Sequence, residues 1–402
     1  MSTPTVPLLL DQADAHIRAG RLGPAEACAE AALRLEPTNA RGHYVLAVLQ
    51  AETGRLEEAV ESYHRSLRAE PRNFHGYANV GLVLQRLGRF EEAASALAQA
   101  AALRQDPSVL NALGFVLARA HRVGDSIAAY QRAVALAPDF VQAWISLGEM
   151  LQKVQRDAEA VQALDRALAL DPANASVRFL RDALAGESVA SAPAEFVSQF
   201  FDAFAAEFDH RLTGELGYRL PDEVAGAIAP WLAQRRGLRV ADLGCGTGLS
   251  GALVRESAAE LVGVDLSAGM LAQARARGLY DRLEQQDVAA FLEGCDEASL
   301  DLILALDVFI YVGALDRVMA AGARALAPDG RLVFSVETLD ADDGLALRRT
   351  GRFAHSAGYV ERIAAAVGLR IAARQETVIR KDAGMPIAGA IYTLSAAEAA
   401  PG

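Results

Sequence analysis

The residues best suited to chemistry form the stretch 242–249, Asp-Leu-Gly-Cys-Gly-Thr-Gly-Leu. An apolar run precedes this stretch, and a helix is predicted over 250–255. The alternate glycines let the main chain turn tightly and approach a ligand closely, and the helix start offers free N–H groups. Cys245 fits inside the turn because it is small. The stretch therefore predicts an anion or nucleotide pocket between a strand and a helix.

Acidic residues follow the next three predicted strands. Asp265 ends the run 261–264, about 20 residues after the glycines, where a carboxylate can accept hydrogen bonds from ribose hydroxyls. Asp287 follows a strand over 283–286, and Asp307 follows one over 300–306. Ligands of open α/β sheets bind beyond the carboxyl ends of the strands, so we expect these acids to surround one crevice.

The G-x-G-x-G spacing after an acid resembles motif I of the class I S-adenosylmethionine-dependent methyltransferases. The resemblance implies S-adenosyl-L-methionine as the cofactor. It implies that Asp265 holds both ribose hydroxyls, that Leu266 and Met270 lie against the adenine, and that Asp287 accepts from the adenine amino group. The cofactor-binding residues so implied are Asp242, Gly244, Cys245, Gly246, Gly248, Asp265, Leu266, Met270, Asp287, Val288, Asp307 and Tyr218.

Strands and helices alternate through the second half of the chain, which predicts a mostly parallel sheet covered by helices on both faces. The last two strands, 369–379 and 387–394, are joined by a loop too short for a helical crossover, so they should pair antiparallel. The prediction is a Rossmann-like α/β domain with a seven-stranded mixed sheet and an antiparallel last strand, the arrangement of the resembled methyltransferases.

The first half shows a period of 34 residues, set by Gly20, Gly54 and Gly88 and by Pro37 and Pro71. The unit around Trp144 matches the tetratricopeptide pattern, in which helical hairpins stack to share a core. We expect an α-solenoid of about five repeats near 6–39, 40–73, 74–106, 107–140 and 141–174. A terminal capping helix over 175–185 would complete a repeat domain spanning 1–186.

Residues 187–194 have the composition of a linker, so the methyltransferase domain is expected over 195–402. It would begin with a phenylalanine-rich helix over 195–209. This helix could cover the cofactor as a lid, as in the resembled family, or dock onto the sheet or the solenoid. Tyr218 could reach the methionine end of the cofactor, or pack its ring in a turn.

His355 and Tyr311 are the candidate catalytic residues. His355 is expected on a loop over the mouth of the crevice, where it could act as a general base or satisfy main-chain groups at a helix start. Tyr311, after the fourth strand, could orient the substrate or simply pack. The aspartates at 340, 342 and 343 are more typical of a solvated loop than of a metal site, and no metal is predicted.

Composition limits the classes of partner. The net charge of −12 disfavours nucleic acid, because nucleic-acid binders usually present a basic face. Three separated cysteines predict neither a disulfide framework nor a metal site. The sequence shows no signal peptide and no uncharged run long enough for a bilayer, so a cytoplasmic protein without membrane contact is expected.

The whole arrangement is similar to a group of bacterial predicted methyltransferases that carry tetratricopeptide repeats. The resemblance implies methyl transfer to an unidentified small-molecule or protein acceptor, with a protein or peptide partner in the repeat groove. The alternative is an interaction protein in which the repeats do the work and the α/β domain binds the cofactor without catalysis.

Overall fold

The computed structural model describes residues 5–205, 208–210, 220–382 and 385–396. The chain divides into two compact units, Met1–Pro172 and Ala173–Gly402. This division precedes the boundary expected from the sequence at residue 186, and it places the helix Ala175–Ala185 in the second unit. Phe179 of that helix packs against Phe196 and Phe353, with ring centroids 4.9 Å and 6.2 Å apart.

The first unit consists of five helical hairpins, which confirms the predicted repeat fold. Small residues allow the two helices of a hairpin to approach closely. A β-carbon at Gly81 would lie 2.6 Å from Leu97, and one at Gly148 would lie 2.8 Å from Leu164. The helices are α1 (Val6–Arg18), α2 (Leu22–Leu35), α3 (Ala40–Glu52), α4 (Leu56–Ala69), α5 (Phe74–Arg86), α6 (Phe90–Leu103), α7 (Pro107–Arg119), α8 (Val123–Leu136), α9 (Val141–Lys153) and α10 (Asp157–Leu170).

The turns within the hairpins all require one residue with positive φ. Glycine supplies it in the first three repeats, with φ of +68°, +80° and +74° at Gly20, Gly54 and Gly88. His121 and Gln155 take the same position in the last two, with φ of +60° and +61°. A side chain disfavours this left-handed conformation, so these two turns carry backbone strain.

Replacing His121 by glycine should therefore stabilise the repeats by about 0.5–1 kcal/mol, because relief of strain outweighs the added freedom of the unfolded chain. The His121 side chain is exposed, so no packing is lost. Urea unfolding followed by Trp144 fluorescence, with Trp231 replaced by phenylalanine, measures the change. His121→Ala is the control and should give no gain; equal stabilisation by both variants would contradict the strain argument.

The second unit is built on a nine-stranded sheet. The order β3-β2-β1-β4-β5 is parallel, β9 pairs antiparallel with β5, and β8 pairs antiparallel with β9. These seven strands and the reversed last strand match the prediction. The strands are β1 (Leu238–Leu243), β2 (Ala258–Asp265), β3 (Arg282–Gln285), β4 (Leu300–Ala305), β5 (Leu326–Thr338), β6 (Leu345–Leu347), β7 (Phe353–His355), β8 (Leu369–Asp382) and β9 (Met385–Ala396).

The two strands that the sequence analysis did not predict are β6 and β7. β7 runs parallel to the end of β5, with Ala354 opposite Glu337, and β6 pairs antiparallel with β7. Each has only three residues, too few for an alternating pattern to be recognised. The loop expected to overhang the crevice is therefore part of the sheet.

Helices cover both faces of the sheet, and successive residues of a strand enter different cores. Ala241 and Leu243 belong to one buried cluster, and Leu238 and Val240 to the other. The helices are α11 (Ala175–Ala185), α12 (Ala194–Asp202), α13 (Phe208–His210), α14 (Leu220–Leu232), α15 (Gly251–Val254), α16 (Ala268–Arg277), α17 (Val288–Gly294), α18 (Phe309–Val312), α19 (Asp316–Ala325) and α20 (Ala357–Ala366).

The segment predicted as a linker is hydrogen-bonded to the sheet domain. The Ala192 N–H donates to the Tyr311 carbonyl at 2.9 Å, and the Ala314 N–H donates to the Ala190 carbonyl at 2.7 Å. Gly313 lies beneath this contact, and a β-carbon there would clash with the Ala190 carbonyl. Residues 190–192 thus lie as a strap across the loop that follows β4.

Candidate active site

A cavity of about 770 Å³ opens at the carboxyl ends of the parallel strands. Its size is within the range of small-molecule and cofactor sites. The structure brings most of the predicted site residues together in its wall, and it adds residues of the strap and of α12. The predicted residues that line the cavity are Gly244, Cys245, Gly246, Asp265, Leu266, Met270, Asp287, Val288, Asp307 and Tyr311.

The Asp265 carboxylate is held in a fixed orientation at the end of β2. It accepts hydrogen bonds from the Gly246 N–H at 2.9 Å and from the Ser267 N–H at 2.8 Å. Burial raises its pKa, and these N–H groups oppose that rise. Each carboxylate oxygen has a further lone pair. Asp265 can therefore accept two more hydrogen bonds from a ligand in the cavity.

The glycine turn has the backbone conformation that its composition predicts. Gly244 and Gly246 have φ of +59° and +54°, and a β-carbon at Gly244 would clash with Val308. Beside Gly246 the cavity is open, since a β-carbon there would meet nothing nearer than a Phe208 ring atom at 4.0 Å. The turn thus leaves room for a ligand against the main chain.

Asp242 and Gly248 do not line the cavity, in contrast to the expectation from the sequence. Asp242 is 1% exposed, and its Oδ2 accepts a hydrogen bond from the Tyr280 hydroxyl at 2.6 Å. A β-carbon at Gly248 would lie 3.0 Å from the Tyr280 ring. Both residues therefore contact Tyr280 behind the glycine turn and do not face the cavity. Tyr280 lies in no recognisable motif, so the sequence analysis missed it.

Burial raises the pKa of Asp242 from its ordinary 3.8 to about 7. The folded state then holds this proton more tightly than the unfolded state. The stabilisation that comes from this bound proton is complete below pH 3.8, the ordinary pKa of the carboxyl, and it is lost once the pH has risen through about 7, its pKa in the folded state.

Asp242→Asn removes this titration and keeps an acceptor for Tyr280. As the pH is raised from about 6 to about 8, the free energy of unfolding of the variant should therefore increase by about 1.4 kcal/mol relative to that of the wild type. Urea unfolding followed by Trp231 fluorescence, with Trp144 replaced by phenylalanine, tests this; a pH-independent difference would contradict it.

The residues that the sequence resemblance assigns to an adenine line the cavity wall near α16 and α17, and the start of α19 lies in the same wall. Met270 is 1% exposed at the cavity wall. Asp287 lines the cavity and also caps α17, because its Oδ1 accepts from the Ala290 N–H at 2.9 Å. Arg317, which the sequence analysis did not single out, lines the same wall. Its guanidinium donates two hydrogen bonds to the Glu293 carboxylate, each 2.7 Å long.

The structure does not support His355 as a general base. It is fully buried in β7, it does not line the cavity, and its Nε2 donates to the Gly313 carbonyl at 2.6 Å. Burial lowers its pKa, so the ring stays neutral. His355 therefore holds the backbone of the loop that follows β4. The expected loop was wrong, because the strand β7 occupies its place.

Tyr311 does line the cavity. Its ring meets Phe201 edge-on, with centroids 5.5 Å apart, and its hydroxyl is hydrogen-bonded to Arg352. Burial raises the pKa of the Tyr311 phenol, while Arg352 and, at longer range, Arg380 oppose that rise. Of the two candidate catalytic residues, only Tyr311 is therefore placed to contact a ligand.

Asp307 lines the cavity together with Tyr311, and hydrogen bonds fix both its main chain and its carboxylate. Its φ is +61°, its N–H donates to Ser335 Oγ at 2.8 Å, and its carboxylate accepts from Arg380 at 2.6 Å. Arg380 also pairs with Glu337, which is 2% exposed. Backbone strain of this kind persists where the surrounding structure enforces it, often at functional sites.

The phenylalanine-rich helix α12 fits both alternatives left open by the sequence. Val197 and Phe201 line the cavity, while Phe196 packs against Phe179. Asp202 at its end accepts from Ser267 Oγ at 2.5 Å and from the Gly269 N–H at 2.9 Å. The helix thus closes one side of the cavity and is fastened to the start of α16. Tyr218 lies outside the described residues.

The described part of the chain contains neither a cluster of potential metal ligands nor a helix suited to span a membrane. No group of three or more His, Cys, Asp or Glu side chains there is arranged to hold a metal ion. Asp343, one of the aspartates considered in the sequence analysis, pairs with Arg362 at 3.0 Å. None of the helices in these same residues is both long and apolar enough to span a membrane.

Comparisons with known proteins agree with this architecture. A methyltransferase domain family model matches residues 241–334, and a tetratricopeptide repeat model matches 10–74, 58–109, 78–139 and 111–175. The chain is 34% identical over 128 residues to a malonyl-[acyl-carrier protein] O-methyltransferase from Enterobacter lignolyticus, covering 32% of this chain and 49% of that protein. It is 33% identical over 102 residues to a ubiquinone biosynthesis O-methyltransferase from Idiomarina loihiensis, covering 25% and 42%.

A third relative matches the other type of domain. The tetratricopeptide repeat domain-containing protein PYG7 of Arabidopsis thaliana is 38% identical over 76 residues, covering 19% of this chain and 25% of that protein. The chain thus spans half or less of the length of these relatives. The chain carries a series of tetratricopeptide repeats followed by a methyltransferase domain with the fold of the class I methyltransferases.

Proposed function

We propose that the second unit transfers a methyl group from S-adenosyl-L-methionine to an acceptor. The observation that carries the proposal is Asp265. Its carboxylate lies at the end of β2, in the wall of the cavity, and the Gly246 and Ser267 N–H groups orient it. Such a carboxylate suits the two hydroxyls of a ribose.

The other wall residues fit the rest of this cofactor. Leu266, Met270 and Val288 offer apolar contact for an adenine, and Asp287 offers an acceptor for its amino group. The open face of the turn at Gly246 would receive the amino-acid part. The bound cofactor would supply a methyl group on a positively charged sulfur. The chain would then position the acceptor and exclude water.

An oxygen atom is the acceptor that the comparisons favour. Two of the relatives are named as O-methyltransferases, although the chain spans only 49% and 42% of their lengths. The acceptor itself, whether a small molecule or a protein, is not identified by these similarities.

The repeats are proposed to bind a protein or peptide partner, as helical repeats of this type commonly do through an extended concave surface. The match of the repeat model over 10–175 supports this role. A cytoplasmic location is also proposed, because Cys28, Cys245 and Cys295 are all free thiols, as in proteins of reducing compartments.

Calorimetric titration of the full-length protein with S-adenosyl-L-methionine and S-adenosyl-L-homocysteine tests the proposal. We expect micromolar dissociation constants for both, with adenine alone binding far more weakly because it cannot use Asp265. Binding of neither compound would reject the cofactor assignment and would favour an interaction protein that works through its repeats.

A further inference from the structure

We propose that the methyl acceptor is a small molecule with an apolar body, an alkyl chain or an aromatic ring, and that this body lies against one wall of the cavity. The inference rests on the proposed function, since it concerns the second substrate of the same cavity. We call this part of the lining the apolar wall, and it consists of residues 190–194, Val197, Phe201, Tyr311, Val312 and Ala314.

The charged residues of the cavity lie outside the apolar wall. Among the described residues that line the cavity, the charged ones lie at or just after strand ends or at the start of α19: Asp265, Asp287, Asp307, Asp316 and Arg317. None of the residues of the apolar wall is charged. An ionised group buried against this wall would therefore lose its hydration and gain no partner of opposite charge from it.

The main chain of the apolar wall is also satisfied within the protein. The Ala192 N–H donates to the Tyr311 carbonyl at 2.9 Å, and the Ala190 carbonyl accepts from the Ala314 N–H at 2.7 Å. The polar side chains of the wall are the hydroxyls of Ser191 and Tyr311. Water finds few partners on such a surface, so an apolar group that displaces it gains affinity.

Polar contacts for the reacting end of the acceptor are available at the edge of the apolar wall. Tyr311 carries a hydroxyl, and Asp307 and Asp316 line the cavity on either side of it in the sequence. Asp307 accepts from Arg380 at 2.6 Å, and Asp316 Oδ2 lies 3.4 Å from the Tyr359 hydroxyl. A hydroxyl-bearing acceptor can thus form hydrogen bonds at one end while its body lies on the apolar wall.

Aromatic rings connect the apolar wall to the glycine turn. The Phe201 ring meets Tyr311 edge-on at a centroid distance of 5.5 Å and meets Phe208 in the same way at 6.0 Å. Phe208 also lines the cavity, and its ring lies 4.0 Å from the position of a β-carbon at Gly246. The turn at Gly246 is the proposed place of the amino-acid part of the cofactor. The apolar wall therefore begins beside the reacting end of the cofactor, where an acceptor must bind.

The test is calorimetric titration of the full-length protein, saturated with S-adenosyl-L-homocysteine, with phenol, 4-ethylphenol and 4-butylphenol. We expect the affinity to rise about fourfold for each added methylene group, since each buries further apolar surface. The heat-capacity change of binding should be negative. Malonate and 1,4-diaminobutane, which are charged, should bind far more weakly. Affinities that do not depend on chain length, or tighter binding of either charged compound, would overturn the inference.

Competition with the cofactor product distinguishes this wall from the rest of the cavity. The alkylphenols should bind the complex with S-adenosyl-L-homocysteine at least as tightly as they bind the free protein, because the two ligands would occupy different walls. Displacement of S-adenosyl-L-homocysteine by 4-butylphenol would place the alkylphenol on the cofactor side and would overturn the inference.

A pair of variants on α12 tests the wall itself. Val197→Asn should weaken the binding of 4-butylphenol about tenfold or more, because it places an amide in the apolar wall, while the affinity for S-adenosyl-L-homocysteine stays unchanged. Ser198→Asn is the control, since Ser198 is the next residue of α12 and does not line the cavity. Equal losses in both variants would contradict the assignment.

The two levels of the proposal fail in different ways. Binding of S-adenosyl-L-homocysteine without binding of any alkylphenol would overturn the apolar acceptor alone. Failure of the wild-type protein to bind S-adenosyl-L-homocysteine would instead reject the proposed function itself.

Discussion

Replacing Asp265 by alanine should weaken the binding of S-adenosyl-L-methionine by a factor of about 100 or more while the domain stays folded. Two hydrogen bonds from ribose hydroxyls to a charged acceptor are worth about 3 kcal/mol or more together. The Gly246 N–H, which Asp265 now satisfies, lies at the open cavity, where water can replace the carboxylate.

Calorimetric titration measures this loss, and thermal unfolding checks that the fold survives. Glu284→Ala is the matched control, because it removes a carboxylate from the neighbouring strand β3, outside the cavity. It should leave the affinity unchanged. An Asp265→Ala protein that binds the cofactor like the wild type would show that the ribose lies elsewhere.

Replacing Arg380 by methionine should destabilise the second unit by about 3–5 kcal/mol. Methionine keeps the apolar volume but removes the partner of Asp307 and of Glu337, which is 2% exposed. The change leaves Asp307 without the guanidinium that donates to it and leaves Glu337 with the longer contact to Arg348 at 3.7 Å, and breaking a buried ion pair costs more than the pair contributes. Burial already raises the pKa of Glu337, which indicates how costly its charge is there.

Urea unfolding followed by Trp231 fluorescence, with Trp144 replaced by phenylalanine, measures this change. Adding Glu337→Gln to Arg380→Met should recover part of the lost stability, because it removes one of the two carboxylates that have lost Arg380 as a partner. Arg374→Met is the control on the same strand, since its pair with Glu376 is on the surface and such pairs contribute little. Equal losses of stability from Arg374→Met and Arg380→Met would contradict the importance assigned to the ion pairs of Arg380 with Asp307 and Glu337.

The sequence predicts the features that follow from short local patterns. The glycine turn was recognisable because positive φ at Gly244 and Gly246 demands glycine. Asp265 was recognisable because a buried parallel strand is a continuous apolar run that ends at the crevice. The repeats were recognisable because the same turn recurs every 34 residues.

The features that failed depend on contacts between distant residues. His355 was wrongly placed on a loop, because the three-residue strand β7 carries no periodic signal. The position of Asp242 outside the cavity wall could not be predicted, because its partner Tyr280 lies 38 residues away and in no motif. Arg380 was not identified, because only the register shift between β8 and β9 turns it inward. Alternation alone places a residue next to Ile379 on the other face.

The segment 187–194 shows the same limit. Its small and polar residues are typical of a linker, yet Ala190 and Ala192 exchange main-chain hydrogen bonds with the loop after β4. Main-chain groups carry no sequence signal of their own. Gly313, which makes the close approach possible, could not be interpreted until its partner was known.

A crystal structure of the full-length protein with S-adenosyl-L-homocysteine tests the central claim most directly. We predict that the ligand occupies the cavity, with both ribose hydroxyls on the Asp265 carboxylate and the adenine between Met270 and Val288. The sulfur should face the end lined by Tyr311 and Asp307. A ligand bound away from Asp265, or an empty cavity at saturating concentration, would contradict the account.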